Sequence, residues 1–445
     1  MRHHANPRVV RVATLALSVV LVAAFAGGCG GSPRTGVTTA DLEAGKAAYD
    51  ERVKNEYEDS VLKLVHRLKR KHDDFAAGRT TVPPTCDVLV LSGGADYGAF
   101  GAGVLEGWGR VRDPAMARPE FDLVSGVSTG ALIAPFALVG DENAYDRAFR
   151  LYQQPKEGWI HSRGLLFFLP GNESLMDVSL LREDIAREIN YDVVRRVAEA
   201  SRNGRLLRIS ATNLDYGRRR VWDLGVEAER AAADPKHDLT RFHKVLQASS
   251  AIPGAFPPVE IDGHVYVDGA TTSNILYEDN MRSPHARVET WRHLYPGVPV
   301  PKLRYWVIIN NQFESPPEVT ERTWVSAVER SLGTSVRAST MTAVQHLAAQ
   351  LALLRLTSGV ETEFRVISIP NEWRPPKPGI FVKETMVSLA KLGFEMGKDP
   401  ASWREGALLN DTPPVMPRAS TRPATTPATG PAAVPASAPA VPAAR

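Results

Sequence analysis

Cysteine is nearly absent. Cys29 and Cys86 are the two in 445 residues, which excludes a disulfide framework and leaves each to be read on its own. A charge excess of one sign is missing as well: 53 basic against 50 acidic side chains leave a formal net charge of +3, too balanced for the footprint of a nucleic-acid binder. The uncharged apolar stretch at residues 12–26 is fifteen residues long, short of the roughly 20 that a membrane-spanning helix needs. No internal repeat is present. With 43% hydrophobic and 23% charged residues the composition is otherwise that of a globular protein, which disfavours wholesale disorder, a collagen-like chain and a polytopic membrane protein. The length allows two or three domains, or one large domain with tails.

The two ends are unlike the middle. Arg2, Arg8 and Arg11 form a basic front before the apolar run, the pattern of an export signal over residues 1–29. Ala26-Gly27-Gly28-Cys29 resembles the lipobox at which bacterial lipoproteins are cleaved and acylated, although Ala26 stands where Leu or Val is usual. An ordinary cleaved signal with an incidental cysteine is the alternative. The resemblance implies a lipidated Cys29 at the start of the mature protein, and Gly30 after it implies an outer-membrane address. Residues 30–82 read as a Gly/Ser/Pro tether followed by a charged helix over about 39–74, whose sparse apolar positions include Val61, Leu62, Leu64, Val65 and Leu68. Its basic end, Arg67 with Lys69, Arg70 and Lys71, reads as a solvated face or as a contact with anionic lipid. From 401 to 445 the chain turns to Pro, Ala and Thr. Residues 411–445 hold nine of the 33 prolines and no aromatic residue, which predicts a disordered tail.

Between the ends, over 83–400, short apolar runs alternate with helical patterns. Strands are expected at 87–91, 121–124, 206–211, 265–267, 303–310 and 364–369. Helices are expected at 99–111, 128–139, 180–200, 239–249, 322–356 and 382–396. Alternation of that kind predicts an α/β fold with a mostly parallel central sheet.

Three segments of this middle region carry chemistry. The run 121–125 leads into Gly126-Val127-Ser128-Thr129-Gly130 and an apolar helix. A Gly-x-Ser-x-Gly at a strand-to-helix junction is a nucleophile elbow: the turn is so tight that glycine must flank it, and the serine hydroxyl stands clear at the helix N-terminus. Upstream, the strand 87–91 enters the glycine-rich Ser92-Gly93-Gly94-Ala95-Asp96-Tyr97-Gly98 turn. Exposed amides with a helix dipole behind them suit an anion. Neither a Gly-x-Gly-x-x-Gly order nor a Gly-Lys-Ser/Thr ending occurs there, so an oxyanion hole fits better than a nucleotide phosphate. Downstream, Ala248-Ser249-Ser250-Ala251-Ile252-Pro253-Gly254-Ala255-Phe256-Pro257-Pro258 precedes His264-Val265-Tyr266-Val267-Asp268-Gly269-Ala270. Asp268 at the end of a short strand either projects into a cleft or is a simple turn residue.

In order and in character these segments resemble the patatin-like phospholipases, over about residues 86–280 and more loosely toward 400. The resemblance implies a three-layer α/β/α sandwich and a Ser/Asp dyad with Ser128 as nucleophile and Asp268 as base. It also implies an oxyanion loop of Gly93, Gly94 and Ala95, motif glycines at Gly126, Gly130 and Gly269, and catalysis of lipid acyl ester hydrolysis without metal or organic cofactor. Two positions depart from the family pattern. Ala95 replaces the third glycine, where a positive φ would be strained, and Tyr97 replaces the usual basic residue, so a neutral acyl ester is as plausible a substrate as a phospholipid.

The rival enzyme is an α/β-hydrolase with a Ser/Asp/His triad, which Ser128, Asp268 and His285 or His293 formally permit. Those histidines lie in a polar stretch that reads as a surface loop. The rival from another class is a catalytically silent envelope lipoprotein that binds lipid or a partner in the same pocket. His264 reads as a strand-end surface residue and Cys86 as a small apolar residue. The Asn213 segment with Arg218, Arg219 and Arg220 reads as a phosphate contact or, more simply, a basic hairpin exposed to water. Met341, Leu347, Leu351 and Leu354 share one face of the long helix and are expected in the core, a lipid-access surface being the alternative.

Overall fold

The apolar runs and helical stretches fold as the alternation requires. The computed structural model describes residues 34, 36–156, 159–162, 174–277, 285–377 and 379–405. Cys29 and the rest of 1–33, and the segment 406–445, lie outside the described residues. The first half of the described chain contains α1 (Thr39–Ala76), β1 (Thr85–Leu91), α2 (Gly98–Trp108), β2 (Leu123–Val127), α3 (Thr129–Val139), α4 (Glu142–Gln153), β3 (His161–Ser162), β4 (Met176–Asp177), α5 (Ser179–Glu188) and α6 (Tyr191–Arg202). It continues through β5 (Leu206–Asn213), β6 (Arg218–Asp223), α7 (Leu224–Ala233), α8 (Thr240–Ser249), β7 (Val259–Ile261), β8 (His264–Asp268) and α9 (His285–Leu294). The last elements are β9 (Lys302–Ile309), α10 (Trp324–Ser358), β10 (Thr362–Ser368), α11 (Lys383–Lys398) and β11 (Arg404–Glu405).

Nine strands form one sheet in the order β11-β10-β9-β1-β2-β5-β8-β7, with β6 also on β5. The pairs β10/β9, β9/β1, β1/β2 and β2/β5 are parallel, while β6, β7, β8 and β11 pair antiparallel. Parallel strands are buried on both faces, and here helices cover both. One face carries Leu89, Leu91, Val124, Leu207, Ile209, Trp306 and Ile308 into the main core with α2, α3, α6, α8 and α11. The alternate residues Leu123 and Leu206 meet Val61 and Leu64 of α1 on the other face. The fold is thus an α/β sandwich with a mostly parallel sheet.

Two helices of the main face touch backbone to backbone. A Cβ at Gly103 would lie 2.2 Å from the Ala390 carbonyl oxygen, and one at Gly397 would lie 2.3 Å from that of Val104. Glycines four apart on both partners, Gly103 with Gly107 and Gly393 with Gly397, let α2 and α11 approach to that distance.

Several expectations need correction. The stretch 180–200 is two helices, because the Asn190 side chain accepts the Val193 N–H at 3.3 Å and caps a new start. The polar stretch around His285 and His293 is the helix α9, one side of which buries Val288 and Trp291. Two residues of the basic end of α1 turn inward rather than to solvent: Arg67 donates to Asp122 at 2.7 Å and to Glu120 at 2.8 Å, and Lys71 to Asp122 at 2.8 Å, while Arg70 stays exposed. The hairpin arginines are likewise drawn inward, Arg218 to Asp50 and Arg220 to Glu56, both on α1. The apolar stripe of α10 is in the core as expected at Leu347, Leu351 and Leu354, together with Val344, while Met341 is half-buried.

Candidate active site

The register of the sheet decides which residues meet. β2 runs parallel to β5 as far as Val127, which pairs with Ser210. β8 runs antiparallel to β5 and ends at Asp268, which pairs with the next residue, Ala211. Since β6 occupies the other edge of β5 at these positions, β2 and β8 share one edge and meet end to end. Ser128 and Asp268 are therefore neighbours although 140 residues apart in sequence.

Ser128 turns out of β2 with φ 54° and ψ −124°, a strained combination for a non-glycine residue, and stands at the N-cap position of α3 with its side chain free of a capping bond. The turn needs its glycines: a Cβ at Gly126 would lie 2.4 Å from the Gly130 carbonyl oxygen, and one at Gly130 would lie 2.5 Å from that of Leu91. The Ser128 N–H donates to Ser249 Oγ at 3.0 Å, and that hydroxyl donates to the Ser210 carbonyl at 2.7 Å, so α8 braces the strained residue from below. Ser128 Oγ donates to Asp268 Oδ2 at 2.6 Å, with both side chains buried. Asp268 Oδ1 accepts the Ala270 N–H at 2.8 Å, across Gly269, which packs against Ser210 and Val127. Burial pushes the Asp268 carboxyl from its ordinary 3.8 up to about 6, against the opposing pull of the hydrogen bonds from Ser128 and Ala270.

The glycine-rich turn lies against the serine. A Cβ at Gly93 would meet Ser128 Cβ at 3.0 Å and Asn274 Oδ1 at 2.4 Å, and one at Gly94 would meet the Asn310 carbonyl oxygen at 2.2 Å. The Gly93 N–H donates to the Asn274 carbonyl at 3.1 Å, so this amide has a partner in the protein. Ala95 takes φ 50°, the strained value for an alanine, and opens the short 3-10 turn Ala95–Tyr97 before α2. Tyr97 turns away to set its ring edge-on to Trp373 at 5.5 Å.

A cleft of about 690 Å³, counted to its open mouth, runs from Ala95 and Ser128. Its walls are mostly apolar, with Leu132, Leu151, Trp159, Ile185, Phe256 and Phe381 among them, Tyr152 bonded to Thr129, and Arg182 and Gln247 among its polar members. Trp159 is fixed by its Nε1, which donates to Asp184 at 2.8 Å. The segment after α8 supplies Ser250, Ala251, Ile252 and Phe256, so the approach to Asp268 forms one wall of the cleft.

The site thus brings together Ser128, Asp268, Gly93, Gly94, Ala95, Gly126, Gly130 and Gly269. Asp268 is held by Ser128 and the Ala270 N–H, and neither histidine of the rival triad lines the cleft, both lying on α9. His264 faces Tyr49 and Tyr216 at 5.1 Å beside Asp215, away from the dyad. Asn213 is buried and donates to Tyr49 at 3.2 Å, which leaves it no phosphate to meet. Cys86 is a buried residue of β1 whose thiol is pushed up to about 12 by burial, the small apolar role expected of it. Among the described residues no group of three or more His, Cys, Asp and Glu could hold a metal ion.

Sequence reasoning missed two asparagines. Asn310, at the end of β9, accepts the Gly101 N–H at 2.9 Å and donates to the Ser92 carbonyl at 2.8 Å, clamping the glycine turn onto the sheet. Asn274 contacts Gly93 and donates to Thr340 of α10 at 2.9 Å. An asparagine directly after a buried apolar strand is the signal that could have found the first.

Among curated proteins nothing matches. The crystal structure of VipD from Legionella pneumophila is similar at 11% identity over 72% of this chain and 67% of that one, with a TM-score of 0.29, a likeness too slight to carry an argument. Residues 89–280 match the family model of the patatin-like phospholipases, a span that contains the glycine turn, the elbow and the Asp268 strand. The chain therefore carries a patatin-like phospholipase domain over residues 89–280.

Proposed function

We propose that the protein is a serine acyl hydrolase that cleaves lipid acyl esters with Ser128 and Asp268 as a catalytic dyad. The observation that carries this reading is the 2.6 Å hydrogen bond from the strained Ser128 hydroxyl to a buried carboxylate at the head of an apolar cleft. Asp268 cannot deprotonate an alcohol in advance, so proton transfer to Oδ2 accompanies attack of Oγ on the ester carbonyl carbon. A carboxyl raised to about 6 is still ionised at neutral pH and is a stronger base than an exposed aspartate. The same proton then passes to the leaving alkoxide, giving the alcohol and an acyl-Ser128, and Asp268 next activates a water against the acyl-enzyme. With the Gly93 N–H donating to Asn274, the oxyanion falls to the amides of Gly94 and Ala95 at the opening of the 3-10 turn, with the N-terminus of α3 adding its dipole. An apolar cleft suits an acyl chain and excludes water from the dyad.

A fluorophosphonate probe tests the reading. The wild type should be labelled, Ser128→Ala and Asp268→Asn should not, and a panel of esters should be turned over by the wild type alone. An unlabelled wild type would instead support the silent, lipid-binding protein. The reading also has the chain exported and held at the cell envelope, at the outer membrane, by a lipid on Cys29, supported by the basic front, the apolar run and the small residues before that cysteine. Incorporation of labelled palmitate, lost in Cys29→Ala, is the corresponding check.

A further inference from the structure

One buried carboxylate beside the site has no part in this chemistry. Asp96 follows Ala95 in the glycine turn, is 2% exposed, and accepts the Phe381 N–H on Oδ2 at 3.0 Å. Burial pushes its carboxyl up to about 6, opposed by the hydrogen bonds from backbone N–H groups. A desolvated carboxylate that costs stability and, among the described residues, takes no part in an ion pair is accounted for by what it holds. Phe381 has φ 57°, a strained backbone for a bulky residue, and its ring lines the cleft facing Phe256, with centroids 6.4 Å apart. Its neighbour Ile380 is 49% exposed, so the segment 379–382 enters from the surface to deliver one ring.

We infer that Phe381 is a specificity-determining residue that narrows the cleft beside Ser128 to an unbranched acyl chain, and that Asp96 is the positioning residue that holds it there. The placement follows from the hydrogen bond. Phe381 is tied through its N–H to the residue after Ala95 and lines the same cleft as Ala95 and Ser128, whereas Leu151 and Ile185 on α4 and α5 line the cleft without such a tie to the turn. Phe381 and Phe256 together then limit the width available to the first carbons of the acyl group. One methyl too many in such a site costs about 10- to 200-fold in kcat/KM.

The inference rests on the hydrolase reading, and the test separates the two. In the full chain, kcat/KM is measured for a straight-chain ester and its α-methyl-branched isomer, and the straight-to-branched ratio is compared between variants. Phe381→Ala should lower that ratio about tenfold or more. Asp96→Ala should lower it similarly, and Asp96→Asn, which keeps an oxygen to accept the Phe381 N–H, should restore it to near the wild-type value. A merely structural role for Asp96 would change both esters alike. Hydrolysis of neither ester by the wild type ends the hydrolase reading and the inference with it. Hydrolysis of both with a ratio untouched by Phe381→Ala overturns the inference alone, and a ratio moved by Phe381→Ala but not by Asp96→Ala removes the role of Asp96.

Discussion

Asp268 sets a conflict between activity and stability at a single side chain. In the unfolded chain its carboxyl ionises near 3.8, and in the folded protein near 6. Between those values the folded state binds more protons than the unfolded state, so stability falls as pH rises through the window, by on the order of 3 kcal/mol once both are ionised. Asp268→Asn should therefore hold or raise Tm at pH 7 while abolishing turnover, and its advantage over the wild type should shrink toward pH 4; thermal melts across that range measure it. Catalysis needs the ionised form, so kcat/KM of the wild type should fall on the acid side with an apparent pKa near 6, about tenfold for each pH unit below it. A rate that stays level down to pH 4.5 would mean that another group is the base.

At the scale of elements, two contacts carry specific costs. α2 and α11 touch through glycines, and Gly103→Val would drive a side chain into the Ala390 carbonyl 2.2 Å from its Cβ. Such overpacking against backbone should cost about 3 kcal/mol, read in urea unfolding. α1 is tied to the sheet by charge: Asp122 is fully buried, accepts from Arg67 and Lys71, and also accepts the Asp87 N–H at 2.9 Å. Arg67→Met removes one of two cations from a buried carboxylate and should cost roughly 2–3 kcal/mol. The loss should be read as a shift in the urea midpoint with the slope unchanged.

Across the whole molecule, legibility followed how local the cause was. The six expected strands and the elbow at Ser128 depend on periodicity and on glycines within a few residues, and all fall within a few residues of where the pattern put them. α9 was misread because only two apolar residues, Val288 and Trp291, join Arg287 on its buried side, and its polar residues outnumber them. The hairpin arginines were misread because their partners lie more than 160 residues upstream on α1. For the same reason no local pattern marks Phe381, whose tie to the turn spans 285 residues.

By itself the sequence determined an α/β chain with an elbow serine, a glycine turn and a strand-end aspartate, because steric demands on glycine and the period of apolar burial act over a handful of positions. That Asp268 reaches Ser128 was decided only when β2 and β8 met end to end along β5. Which glycine-turn amide is already occupied, and which ring closes the cleft, depend on Asn274 and Phe381 arriving from distant elements. Pairing register and side-chain packing are properties of the assembled sheet and its helices, and no local pattern contains them.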